Sequence, residues 1–436
     1  MKWVTRHRIR LYIRNSLWIL PALSVLLALL AVAGITRVER ALGLSSNTSP
    51  DTARLILSTI AASTFTLLVL VSSAMLLAVQ LASAQLSPRI IAMIYRKPHG
   101  KLAFAVFVFT FTFAVATLVR IEQTVPLITT YFAAYAFLVN IALFIFFIDV
   151  LGKTLRPSSA LRAVGLAGRE VIRSVYPSLR SDDTPIPAAV KIPRQFELRI
   201  IPNEDDGAVL SFDLDGLINK AAKSNSIIEL VPQVGDFIAA GDPLFRVFAE
   251  KQSLADSELK HSVAIGDERT LEQDPMFAFR IIVDIASKAL SPAINDPTTA
   301  VLAIDQIHHL LRDIGKRYLA EGQEKDAQGQ LRMIYRTPEW EDFVQLGTTE
   351  IRHYGRDSIQ VQRRLRAMLE DLIATLPPHR HEILQQELSL LNSSLKRAFP
   401  DLDDQRLAES GDLQGIGGSD DELYEEREPA PARRIS

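Results

Sequence analysis

Residues 55–88 read LILSTIAASTFTLLVLVSSAMLLAVQLASAQLSP and contain no charged side chain. A helix of roughly 20 residues crosses a bilayer core of about 30 Å, and this run would extend about 50 Å as a helix. Three more uncharged apolar runs cover residues 17–35, 102–119 and 123–148. The sequence therefore predicts an α-helical integral membrane protein, with four transmembrane helices in residues 17–150 that follow a basic N-terminal segment, residues 1–16.

The first apolar run has two interpretations. Its basic flank and the triplet Ala31-Val32-Ala33 also fit a cleavable signal peptide. The run is, however, as long as a full span and contains Pro21, which favours a retained helix. We therefore expect the first run to stay in the mature protein.

Charge is distributed unevenly along the chain. Residues 1–156 hold 15 basic and four acidic side chains, whereas the remainder holds 33 basic and 46 acidic ones. With the N-terminus inside, the flanks on the cytoplasmic side carry 14 Lys and Arg residues, against four on the other side. Because Lys and Arg are retained in the cytoplasm, we expect a multi-pass protein of the bacterial inner membrane with both termini cytoplasmic.

Small and polar residues recur at heptad-like spacing along the second run. We call this set the polar stripe; it consists of Thr59, Ser63, Thr66, Ser73 and Gln80. Such residues let helices approach closely, so the stripe is either a packing face, inside a subunit or between subunits, or a water-facing pore lining in an oligomer. The apolar runs themselves lack the ionisable groups that pumps and ion-coupled carriers place at midplane. The polar stripe of the long second run favours a homo-oligomer in the lipid bilayer.

After the membrane segment the sequence pattern changes to that of a cytosolic α+β region. A helical linker is predicted over residues 151–193, and short alternating strands over 194–250 indicate a small β-sandwich or barrel-like domain. Residues 262–400 have helical periodicity. Residues 401–436 hold 11 acidic and four basic side chains, which predicts a disordered tail.

Two blocks in the helical region are distinctive: GDERTLEQDP over residues 266–275 and ALSPAINDPTTA over residues 289–300. They resemble the motifs G-x-E-R-T-x-x-Q-D and A-L-S-P-A-I-N-D-P-x-T-A of DUF2254, a bacterial family described as predicted membrane proteins. The resemblance also covers the four apolar runs and extends to about residue 400. It implies a membrane protein but brings no established activity.

The polar residues of these blocks also have two interpretations. Proline after Ser291 and after Asp296 ends one helix and starts another, so Asn295 or Asp296 could cap a tight connection between packed helices. Alternatively, the polar residues converge at a helix N-terminus and bind an anion or another small polar ligand; this candidate set is Arg269, Gln273, Asp274, Asn295, Asp296 and Thr298. A weaker alternative is a divalent cation held by Asp274, Asn295 and Asp296.

Motifs of catalysis were not found. The chain has no cysteine and no G-x-S-x-G, phosphate-loop or H-E-x-x-H motif, so we expect no enzyme, no bound cofactor and no metal. A basic patch, residues 352–366, is expected to face solvent or the acidic tail rather than nucleic acid. Two functions remain: an oligomeric passive channel gated by its cytosolic domains, or a membrane-anchored sensor or scaffold that binds a cytosolic ligand.

Overall fold

The computed structural model describes residues 3–90, 98–154, 156–179, 192–193, 195–251, 253–319 and 322–417. The chain forms two compact units. Ile9–Ala160 form the apolar unit, and Met1–Arg8 with Leu161–Ser436 form the mixed unit. Residues 180–191 of the predicted linker lie outside the described residues.

The apolar unit contains four helices long and apolar enough to cross a membrane, as predicted. The helices up to this point of the chain are α1 (Trp3–Asn15), α2 (Ile19–Leu42), α3 (Pro50–Gln85), α4 (Pro98–Leu118), α5 (Leu127–Thr154) and α6 (Pro157–Val175). Helix α4 packs against α2, α3 and α5. Small side chains such as Ala28, Ala53, Ala61 and Ala114 are buried between the helices, where they allow close approach.

Helix α2 continues beyond the apolar run and carries a buried carboxylate, Glu39. Its Oε1 accepts a hydrogen bond from the backbone N–H of Thr129 at 3.0 Å, and its Oε2 accepts one from the Thr129 hydroxyl at 2.5 Å. Thr129 lies in the first turn of α5, where backbone N–H groups lack partners within the helix. Glu39 therefore ties α2 to the N-terminus of α5.

The mixed unit contains two sheets. The strands and the short helices among them are β1 (Glu197–Pro202), β2 (Gly207–Phe212), α7 (Leu214–Lys223), β3 (Ser226–Leu230), β4 (Phe237–Ile238), β5 (Pro243–Ala249), α8 (Asp256–Lys260), β6 (Val263–Gly266), β7 (Gln323–Lys325) and β8 (Leu331–Tyr335). One sheet has the order β1-β5-β3-β8-β7, and the other β4-β2-β6.

Short strands form within residues 194–250, as predicted, at β1, β2, β3 and β5, but the expected boundary of the β-domain is wrong. Strands β6, β7 and β8 come from residues outside 194–250 and complete the two sheets. Strand β8 pairs in parallel with β3, and Met333 of β8 belongs to the same hydrophobic core as Ile228 of β3. No single point in the sequence therefore separates the β-domain from the helical region.

The helical part of the mixed unit is built from α9 (Pro275–Ala289), α10 (Pro297–Gly315), α11 (Trp340–Tyr354), α12 (Ile359–Thr375), α13 (His381–Ala398) and α14 (Leu402–Glu409). Helices α9 and α10 bury mainly apolar faces, including Ile282 and Leu311, whereas α12 buries polar side chains as well as apolar ones such as Met368. Phe279 of α9 contacts Phe343 of α11, with ring centroids 5.4 Å apart.

The basic patch and the tail differ from expectation. Arg352, Arg363, Arg364 and Arg366 are buried rather than solvated. Arg363 donates to the backbone oxygens of Ser410, at 3.1 Å, and Gly417, at 3.2 Å, so the expected contact with the tail exists. The prediction of disorder is wrong for residues 401–417, which form α14 and an ordered turn. Residues 418–436 lie outside the described residues.

Candidate functional site

The polar stripe of α3 lies on the outside of the chain. Thr59, Thr66, Ser73 and Gln80 are exposed and Ser63 is half-exposed, whereas the buried face of α3 consists of other residues. The Thr59 and Thr66 hydroxyls donate to carbonyls of their own helix, at 2.8 and 3.0 Å. The stripe is therefore not a packing face within one subunit.

The first motif block caps helix α9. Asp274 is 3% exposed, and one of its oxygens accepts the Phe277 N–H at 3.0 Å. Its other oxygen is held by the Arg269 Nη2, at 2.6 Å, and Nε, at 2.8 Å. We call Arg269 and Asp274 the cap pair. Burial raises the pKa of Asp274, and the Arg269 guanidinium opposes that rise.

Two neighbouring residues fix the position of the cap pair. The Gln273 side chain forms two hydrogen bonds with the backbone of Phe212, accepting from its N–H at 3.0 Å and donating to its carbonyl at 3.2 Å. Gly235 has φ +94°, and a Cβ at this position would lie 2.2 Å from the Arg269 Nη2. Only glycine therefore fits beside the cap pair at this turn.

The second motif block caps helix α10. Asp296 accepts the Thr299 N–H at 3.0 Å and the Thr299 hydroxyl at 2.5 Å. Asn295 has the left-handed φ of +49°, which Asn tolerates better than most residues. Asn295 and Thr298 are exposed. The capped connection predicted between two helices is therefore present, with Asp296 as the cap.

The two halves of the candidate set do not converge. Arg269, Gln273 and Asp274 lie at the start of α9, and Asn295, Asp296 and Thr298 lie beyond its end. The 15 residues of α9 span about 22 Å at 1.5 Å per residue. A single ligand site, or a cation site that uses both Asp274 and Asp296, is therefore excluded by the helix length.

Gln273 and Asp274 of the first half border a cavity of about 180 Å³, which we call the Tyr176 cavity. The walls come from the end of α6, strand β2, the turn that holds Gly235, the start of α9 and the end of β8. The lining includes Tyr176, Phe212, Gln273, Asp274, Tyr335 and Arg336. Gln233 and residues 335–338 also border an open groove of about 720 Å³, so the cavity shares a wall with a solvent-accessible surface.

Among the residues that the structure describes, the hydroxyl of Tyr176 has no hydrogen-bond partner, although Tyr176 is only 2% exposed. Burial raises the pKa of Tyr176, and nearby Tyr335, Asp274 and Asp342 add to the rise. Tyr335 and Asp274, two of the groups that act on the Tyr176 hydroxyl, line the same cavity as Tyr176. A buried polar group without a partner costs about 1–3 kcal/mol, and a bound polar ligand would remove this cost.

The N-terminal residues contact the outer side of the same wall. The His7 Nε2 lies 3.0 Å from the Ser211 hydroxyl and 3.3 Å from the Glu272 carboxylate. Ser211 and Glu272 directly precede the cavity residues Phe212 and Gln273. His7 lies on α1, which ends at Asn15. Three residues, the last of them Trp18, separate α1 from α2.

Sequence reasoning found the Gln273-Asp274 edge of the cavity through its motif but missed Tyr176 and Tyr335. Tyr176 follows a helix at the start of the linker, and Tyr335 ends a strand in a region expected to be helical. Neither position has a local pattern that marks a ligand site. Gly235 itself is the signal that the sequence offers at this turn, since glycine readily adopts the positive φ that the structure shows there.

Comparison with known proteins identifies relatives but no activity. Residues 14–371 match the family model described as "Predicted membrane protein (DUF2254)". The chain is 26% identical over 415 residues to an uncharacterized protein of Mycobacterium tuberculosis, which covers 91% of this chain and 79% of the relative. An uncharacterized protein of Mycobacterium bovis has the same identity and coverage. No solved structure matches the chain significantly.

Proposed function

Because this chain belongs to the DUF2254 family of predicted membrane proteins, we propose that it is a membrane-anchored sensor whose mixed unit binds a small polar ligand in the Tyr176 cavity. The observation that carries this proposal is the buried Tyr176 hydroxyl, which has no partner within the described part of the chain. A ligand that bonds to this hydroxyl would satisfy it. Binding sites commonly hold such groups in a mostly apolar cavity with a few placed polar atoms.

The contacts of His7 connect the cavity to the helix that precedes the first apolar helix. A ligand that displaces Phe212 or Gln273 also displaces the adjacent Ser211 and Glu272, which hold His7. Since His7 belongs to the helix that precedes the first apolar helix, a change at the cavity reaches the membrane segment within a few residues. The chain lacks cysteine, so a disulfide between His7→Cys and Ser211→Cys reports this contact directly.

The test uses the full chain in detergent and a thermal-shift screen of small polar metabolites. We expect at least one compound to raise the melting temperature of the wild type but not of Tyr176→Phe. The substitution removes only the hydroxyl. Without ligand, Tyr176→Phe should melt at the same temperature as the wild type or higher, because it removes an unsatisfied buried group.

Tyr354→Phe is the matched control, since Tyr354 is 59% exposed and lies outside the cavity. It should keep the ligand response. A ligand response that survives Tyr176→Phe unchanged would count against the cavity as the site. A fall in melting temperature of unliganded Tyr176→Phe would indicate a structural role for the hydroxyl.

The exposed polar stripe favours a second function, an oligomeric passive channel gated by the mixed unit. Hydroxyls on the outer face of an apolar helix suit contact with a second copy of the chain or with a water-filled path between copies. Thr59 and Thr66 are exposed, and their hydroxyls donate to carbonyls of their own helix. They therefore present a small surface with no unsatisfied donor to a second copy of the chain.

Liposomes that contain the purified chain test this second function through fluxes of K⁺ and glycerol. Thr66→Leu and Ser73→Leu should alter the flux and the oligomeric state. The control is Val69→Leu, an exposed position on the same helix outside the stripe. Liposomes that stay tight with the wild type would argue against a channel, and a monomer on light scattering would argue against assembly through the stripe.

We further propose that the protein lies in the inner membrane of a bacterium with both termini in the cytoplasm. The support is the excess of Lys and Arg in one set of flanks, 14 against four. Single cysteines introduced at Thr5 and Ser45 should differ in their reaction with a membrane-impermeant maleimide in intact cells. Labelling at Thr5 and protection at Ser45 would reverse the proposed orientation.

A further inference from the structure

The size of the Tyr176 cavity limits its ligand, and the inference below rests on the proposed sensor function. The cavity volume is about 180 Å³. A cavity of about 150 Å³ accommodates one benzene molecule. The Tyr176 cavity therefore has room for one six-membered ring with a small substituent, and a nucleotide or a fatty acid is too large to be enclosed.

The walls of the cavity favour a flat, largely apolar ligand. The Phe212 and Tyr335 rings lie 5.2 Å apart, and an aromatic ring in the cavity would contact them at offset or tilted geometry. Leu214, Val234 and Pro338 supply the remaining apolar surface. The amide of Gln273 is already used by the Phe212 backbone, whereas the Tyr176 hydroxyl has no partner among the described residues.

The charges around the cavity disfavour an anion. Within the part of the chain that the structure describes, Asp274 has the Arg269 partner, whereas the nearby Asp342 and Glu324 have no ion pair. Arg336 is the cation on the lining, but its side chain is 70% exposed and lies 3.8 Å from Asp236. The immediate surroundings therefore carry an excess of carboxylates.

We infer that the Tyr176 cavity binds a neutral or cationic single-ring compound whose polar substituent forms a hydrogen bond with the Tyr176 hydroxyl. This assignment departs from the anionic ligand that the helix N-termini suggested in the sequence. The start of α9 disfavours an anion, because the Asp274 carboxylate accepts the Phe277 N–H and carries negative charge there.

Three nearly isosteric ligands test the charge and the size together: benzamide, benzamidine and benzoate. Isothermal titration of the full chain in detergent should show binding of benzamide and benzamidine, and at least tenfold weaker binding of benzoate. Tyr176→Phe should weaken binding of benzamide about fivefold or more, as expected for one hydrogen bond, with an unchanged melting temperature of the free protein.

Val234→Phe is the second variant, since it fills the cavity from a half-buried wall position. It should abolish binding of all three compounds. Benzoate that binds as well as benzamide would overturn the charge assignment, and a wild type that binds none of the three at millimolar concentration would overturn the ring assignment. In either case, a metabolite whose thermal shift still depends on Tyr176 would leave the sensor function standing.

Discussion

The cap pair makes a measurable prediction about stability. Asp274 is 3% exposed, whereas the Arg269 side chain is 35% exposed. Arg269→Met leaves a buried carboxylate without its cation, which costs about 3–5 kcal/mol. We expect the lower end of this range, because the Phe277 N–H still donates to Asp274. Asp274→Asn should cost about 1–2 kcal/mol, because Asn remains a good helix cap and solvent reaches the guanidinium.

The double variant Arg269→Met/Asp274→Asn should be more stable than Arg269→Met alone, because it carries no buried unpaired charge. Thermal unfolding of the full chain in detergent, followed by tryptophan fluorescence to which buried Trp340 contributes, measures the order of the variants. At roughly 2–4 °C per kcal/mol, Arg269→Met should melt about 6–12 °C below the wild type. The neutral pair should recover about half of that loss.

The pH dependence follows from the pKa of Asp274, which burial raises in the folded state. A raised folded pKa stabilises the fold below the unfolded pKa, and this contribution is lost as pH rises through the folded pKa. Without Arg269 the folded pKa of Asp274 rises further, so the loss of stability of Arg269→Met relative to the wild type should shrink as pH is lowered from neutral.

A double variant as unstable as Arg269→Met at neutral pH would refute the role assigned to the buried charge.

Three further predictions concern single positions, each measured on the full chain. Gly235→Ala should lower the melting temperature more than Gly241→Ala, because both have positive φ but a Cβ meets the cap pair only at Gly235; equal losses would contradict this. Asn295→Gly should be neutral or stabilising by up to about 1 kcal/mol, since glycine adopts the left-handed φ freely, and a large loss would indicate that the Asn295 side chain has a role. Arg363→Met should make residues 410–417 more sensitive to limited proteolysis than the exposed control Arg356→Met, with equal cleavage the contrary result.

Local patterns predicted the elements of this protein well. Uncharged runs of membrane-spanning length gave four helices, and alternation gave the strands β1, β2, β3 and β5, because both signals depend on neighbouring residues. The cap at Asp296 was also predicted, since a cap and its proline are adjacent in sequence. The tail was predicted less well. Its acidic composition suggested disorder, but buried Asp412 accepts three backbone N–H bonds that order the turn from 412 to 417.

The sequence by itself determined that the chain has a basic apolar half and an acidic α+β half, and it marked Gln273 and Asp274 as unusual. Only the tertiary structure decided that the polar stripe lies on the outside of α3, that helix α9 separates the two motif blocks, and that Tyr176 and Tyr335 join the first block around a cavity. Exposure, the distance between helix ends and the partners of a buried hydroxyl depend on contacts between residues far apart in the chain. Such contacts leave no periodic pattern, whereas apolar run length and helix capping do.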